Sequence, residues 1–182
     1  MRKSKRMGGR IIAAAARRYG EQGVAPEPAL REAVFARLFA GRWQPRWDVL
    51  LVDRKLPLGE RLTRFYCEYR GKITRNEARL WTRAGLLGMH GPAFSRTLEK
   101  RILIPVAREL RHAAGVASKR AVSRRELELV QMLHGAIAFP HTRSHIFDMD
   151  VHGRLRDLVP MMVRVWLPGA MAEARKLNPT RP

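Results

Sequence analysis

The chain has 182 residues, 36 Lys and Arg against 16 Asp and Glu, a formal charge of +20 and one cysteine. That length suits a single domain whose core needs no staples, and the lone Cys67 excludes an internal disulfide and points to a reducing, cytoplasmic setting. The longest apolar run, 158–171, is cut by Arg164 and carries Pro160 and Pro168, so no transmembrane helix is expected.

The periodicity is helical along nearly the whole chain, and no period-2 run reads as a strand. After Gly8-Gly9, residues 10–19 form a short helix with Ile11, Ile12 and Ala15 on one side. A second helix starts after Pro28, with Leu30, Val34, Leu38 and Phe39 on one face, and is expected to end at Gly41. Trp43 and Trp47 flank Pro45 ahead of a short helix over 46–52. Pro57 suits the first turn of the next helix, where Leu58, Leu62, Phe65, Tyr66 and Tyr69 recur at helical spacing.

Thr74 and Glu77 have the spacing of a capping box, opening a helix through Leu80, Trp81, Ala84 and Leu87. Pro92 opens a long helix with Leu98, Ile102, Val106 and Leu110 in step, and Pro105 is expected to kink it. Gly115 ends that helix. Ser123 and Glu126 form a second capping box, ahead of an apolar face of Leu127, Val130, Leu133 and Ile137 that Pro140 is expected to interrupt, with a resumption through 141–147 left open. The last helix follows Gly153, its apolar repeat running from Leu155 to Gly169, and the tail 176–182 is expected to fray. About eight helices and an all-α fold result.

Candidate chemistry is sparse. His141 and His145 stand four apart, with Asp148, Asp150 and His152 nearby, but the spacing matches no zinc motif, and a polar surface turn is the favoured reading. No nucleophile elbow, Walker loop, dinucleotide fingerprint or zincin motif occurs, so neither an enzyme nor a cofactor is expected. Glu60, Glu68, Glu99 and Glu126 read as surface partners of basic neighbours. Cys67 reads as a small core side chain.

The excess charge bears on partners rather than on fold, although an arginine-favouring genome would also raise it. Before the first acid, Glu21, the chain carries Arg2, Lys3, Lys5, Arg6, Arg10, Arg17 and Arg18. This is the pattern of an arm and helix that neutralise phosphates without reading bases. No membrane partner is expected.

RIIAAAARRYGEQGV resembles the first helix of TetR-family transcriptional regulators. EAVFARLFAGRW resembles the stretch leading from that family's DNA-binding head into its regulatory domain. RLTRFYCEYR, the LHG of residues 133–135 and the terminal apolar helix resemble the regulatory domain. Between helix 1 and the connecting stretch the family carries its helix-turn-helix. Here VAPEPAL runs straight into REAVF, leaving out roughly 25–30 residues by the length two short helices and their turns require.

The resemblance implies a basic arm and helix-1 remnant over 1–27 and a regulatory domain over 28–182. It implies a ligand-responsive repressor with a defective or reduced DNA-reading head, binding DNA weakly or without specificity. A small apolar ligand would sit among Phe65, Tyr66, Trp81, Leu86, Met89, Phe94 and His134, large residues near helix breaks. A homodimer would form through Leu155, Leu158, Val159, Met162 and Trp166, joined by Leu129 and Leu133. Two other readings stand beside it: an interaction module that heterodimerises with a full-length paralogue, and a non-specific basic nucleic-acid binder.

Overall fold

A computed structural model describes residues 13–15, 17, 18, 33, 34, 37, 41–73, 92–116, 120–146 and 153–179. Among these the chain is all-α, with no strand. Six α-helices have defined bounds: α1 Pro45–Val52, α2 Leu58–Gly71, α3 Pro92–Leu98, α4 Ile104–Ala113, α5 Arg124–Ile146 and α6 Leu155–Leu177. A π-helical turn, Glu99–Leu103, joins α3 to α4.

The difference from about eight has two sources. The single helix expected from Pro92 is divided by the π turn, and the helices expected near 10–19, after Pro28 and over 74–87 lie wholly or mostly outside the described residues. Ala13–Ala15, Arg17, Arg18, Ala33, Val34 and Arg37 are helical where described. Gly41 and Arg42 are themselves helical, so Gly41 is not the stop that was expected. The Thr74–Glu77 box lies outside the described residues.

α2 is the central helix. Its apolar repeat buries Leu58, Leu62, Phe65, Tyr66 and Tyr69 on the side that faces the core. α6 lies against it, contributing Val159, Val163, Ala170 and Ala174. The two helices approach closely at Gly59, where a β-carbon would stand 3.3 Å from Leu167 Cδ2. α1 lays Trp47 and Leu51 on the same core, with Pro45 in its first turn. Trp47 stands edge-on to Phe65 at 5.6 Å, and its indole Nε1 donates to Glu68 at 2.8 Å.

The expected kink at Pro105 takes the form of the π turn. Proline has no N–H and crowds the carbonyl four residues back. Just before it the helix widens, and Ile104 N donates to Glu99 O, five residues back. The wider turn also serves the packing. A strict four-residue repeat drifts about 40° per step on an α-helix, and the π turn takes up that drift. Leu98, Ile102, Val106 and Leu110 are all buried.

α4 ends in a full Schellman motif: Val116 N donates to Arg111 O, Gly115 N donates to His112 O, and Gly115 has φ +73°. α5 begins with the expected capping box. Ser123 N donates to Glu126 Oε2 at 2.8 Å, and Glu126 N returns a bond to Ser123 Oγ at 3.4 Å. Pro140 does not interrupt α5, which continues to Ile146. The carbonyl it deprives, at Ala136, belongs to an exposed residue that water can reach. α6 likewise runs on through Pro168 and Gly169 to Leu177. The tail is anchored at Asn178, whose Nδ2 donates to Glu126 Oε1 at 2.9 Å.

Two ion-pair networks tie the helices. Arg54 and Arg61 both bond the buried Glu109 of α4. Arg111 and Glu126, both buried, pair across α4 and α5, with Arg111 Nη2 at 2.6 Å from Oε2. Glu126 is therefore not the surface partner that was expected. Glu60 does pair with Arg64 one turn on, as its spacing implied.

Candidate functional site

Polar groups gather in one part of this apolar interior. α2 supplies Tyr66 and Tyr69, α5 supplies His134, and Arg42, just ahead of α1, reaches in from the connecting stretch. Arg42 is 7% exposed, and its Nη2 donates to Tyr69 OH at 2.7 Å while its guanidinium lies 4.5 Å from the centre of the Tyr69 ring. Tyr66 OH stands 3.5 Å from His134 Nδ1. The His134 ring lies 5.9 Å from Tyr66 and 6.0 Å from Tyr69. Phe65 stacks on Tyr69 at 5.4 Å, completing an aromatic wall.

The electrostatics keep this cluster neutral at its centre. Burial first, then the guanidiniums of Arg70 and Arg42, bring the His134 imidazole down from 6.5 to about 4. Burial raises the Tyr66 phenol, and the neighbouring Tyr69 adds to the effect. A neutral imidazole and an un-ionised Tyr66 phenol form a hydrogen-bonding set with aromatic faces around it. Burial also raises the neighbouring Cys67 thiol, away from the thiolate a nucleophile needs. At neutral pH the imidazole and the Tyr66 phenol can donate and accept hydrogen bonds without carrying charge.

Of the residues expected around a ligand, Phe65, Tyr66 and His134 are brought together, and Tyr69 and Arg42 join them. Trp81, Leu86, Met89 and the side chain of Phe94 lie outside the described residues. Sequence reasoning missed Arg42, because a cation beside Trp43 carries no periodic signal of burial. Arg17 and Arg18 of the expected phosphate-binding set are exposed on a helical stretch. Arg2, Lys3, Lys5, Arg6 and Arg10 lie outside the described residues, as do Asp148, Asp150 and His152 and the side chains of His141 and His145.

The α6 residues expected at a dimer contact have mixed placements. Val159 is wholly buried in the chain's own core, and Leu133 of α5 belongs to the same core. Met162 and Trp166 are half-buried against it, and the Trp166 indole donates to Leu129 O at 2.8 Å. Leu158 is half-buried, and the side chain of Leu155 lies outside the described residues. Among the described residues, the large apolar side chains facing outward are Met161 and Val165 on α6, Met132 and Phe139 on α5, and Val49 and Val52 on α1, with Val165 75% exposed.

Among the described residues no helix is long and apolar enough to cross a membrane, and no three metal-ligating side chains come together. No family model, curated protein or solved structure matches the chain.

Proposed function

We propose that this chain is a TetR-like, ligand-responsive transcriptional regulator, homodimeric, with a reduced DNA-reading head. The observation that carries the reading is the bond from Arg42 to Tyr69. Arg42 belongs to the stretch that resembles the family's connector between head and regulatory domain. Through Tyr69 it is tied to the cluster that would take a small apolar ligand. A ligand seated against Tyr66 and His134 would compete with the packing that holds Tyr69, and so shift the connector.

The outward faces of α5 and α6 support the dimeric part. Met132, Phe139, Met161 and Val165 lie on two packed helices, and a second copy would cover them. The same face would serve a heterodimer with an intact paralogue, the reading in which the chain poisons a full-length partner.

The test is a fluorescence-anisotropy titration of the full chain against the duplex upstream of its own coding sequence and a scrambled duplex, at two salt concentrations. The reduced head predicts similar affinity for both, falling steeply with salt. A preference of about a thousandfold for the upstream duplex would reveal a complete reader. No binding to either duplex at low salt would remove DNA from the account.

A further inference from the structure

We infer that the rod formed by α3, the π turn and α4 is a second nucleic-acid backbone site, separate from the N-terminal arm. Arg96, Lys100 and Arg108 are exposed along it. By helical geometry they fall within about a quarter turn of one another and span about 18 Å. None of the three forms an ion pair or hydrogen bond with a described residue. Arg101 and His112 flank the stripe and are exposed too.

The described acids nearby do not cancel this line. Glu109 is buried beneath it and already engaged by Arg54 and Arg61. Asp48 is held by Arg101 and by the Trp43 indole. Glu99 is the only exposed acid on the described rod, set off from Lys100 by about a quarter turn. Adjacent cations with no counter-charge repel one another, and a polyanion removes that cost while releasing its own counterions.

The stripe also lacks what other polyanion partners need. A membrane-surface helix pairs its cations with a bulky apolar face that enters the lipid. Here the rod's large apolar residues, Leu98, Ile102, Leu103, Val106 and Leu110, are committed to the core. The cations at the start of α6 contrast with it: Arg154, just ahead of the helix, and Arg156 and Arg164 within it are interspersed with Asp157 and the exposed Met161 and Val165.

The test uses the full chain carrying Gln at Arg2, Lys3, Lys5, Arg6, Arg10, Arg17 and Arg18, so that the arm and its helix are silent. A scrambled 30-base-pair duplex is titrated across salt, then again with Arg96→Gln, Lys100→Gln and Arg108→Gln added. A comparison variant instead adds Arg154→Gln, Arg156→Gln and Arg164→Gln, the same loss of charge at and along the first half of α6. All six positions are exposed, and circular dichroism checks that helicity is unchanged.

The arm-silenced chain is expected to keep binding. The rod triple should lower the slope of log affinity against log salt by about 2.7, or about 0.9 for each phosphate it no longer neutralises. Affinity should fall more than about tenfold near 0.1 M salt, while the α6 triple changes the slope by less than about one. Equal losses from the two triples would mean diffuse charge and overturn the proposal. So would loss of all binding on silencing the arm, or a rod-dependent affinity for phosphatidylserine vesicles without one for duplex.

Discussion

Glu126 shows how a single carboxylate joins three helices. It closes the capping box at the start of α5, pairs with Arg111 at the end of α4 and accepts from Asn178 after α6. Burial alone would raise its pKa; the bonds from Arg111, Ser123 and Asn178 outweigh that and hold it at about 2, against an ordinary 4.5. A carboxyl depressed in the folded state stabilises fully above its unfolded value and loses that contribution as pH falls. The loss is therefore expected between 4.5 and about 2, worth about 3 kcal/mol across the window. Glu126→Gln leaves Arg111 buried without its counter-charge and should cost about 3–5 kcal/mol at neutral pH. Urea titrations at several pH values check both points; an unchanged acid slope in the variant would place the titration elsewhere. The capping box was legible from Ser123 and Glu126 in sequence. The burial of Glu126 was not, because its partner Arg111 comes from another helix.

At the scale of elements, two glycines should respond to alanine with opposite sign. Gly115 sits at φ +73° with nothing within 4 Å of a β-carbon. Gly115→Ala therefore meets conformational strain alone and should cost about 1–2 kcal/mol. Gly135 lies inside α5 with the same open space around it. Gly135→Ala should gain about 0.5–1 kcal/mol by the ordinary helix preference. Thermal denaturation of both variants tests the pair, and a Gly115→Ala protein as stable as the parent would deny the Schellman geometry. The glycine stop and the buried faces of α2, α4 and α5 could be read from sequence because they follow one helical period. The π turn could not, because Pro105 announces a disturbance but not its form. Nor could the unbroken run of α5 through Pro140, where packing against α4 and α6 outweighs the missing bond.

For the whole molecule, the sequence exposed the apolar repeats but not which side of α6 turns inward. The helix is apolar on two sides, and only packing against α2 and α5 decides that Val159 faces in while Met161 and Val165 face out. That outward face predicts association. Sedimentation velocity should show a dimer for the parent chain and a monomer for a Met161→Glu, Val165→Arg double variant with unchanged helicity. A parent that sediments as a monomer at tens of micromolar would remove the dimer from the account. The interior cluster predicts ligand response, and the direct test is a thermal-shift titration of the full chain with 2-naphthol and substituted phenols. These match a flat apolar body with one hydroxyl for Tyr66 or His134. At about a hundredfold excess over Kd, binding should add about 2.7 kcal/mol and raise Tm by several degrees. That rise should saturate in the parent and weaken at least tenfold in affinity in a Tyr66→Phe, His134→Asn variant. No saturable rise in the parent, or an equal rise in both proteins, would contradict a ligand-responsive regulator built on this cluster.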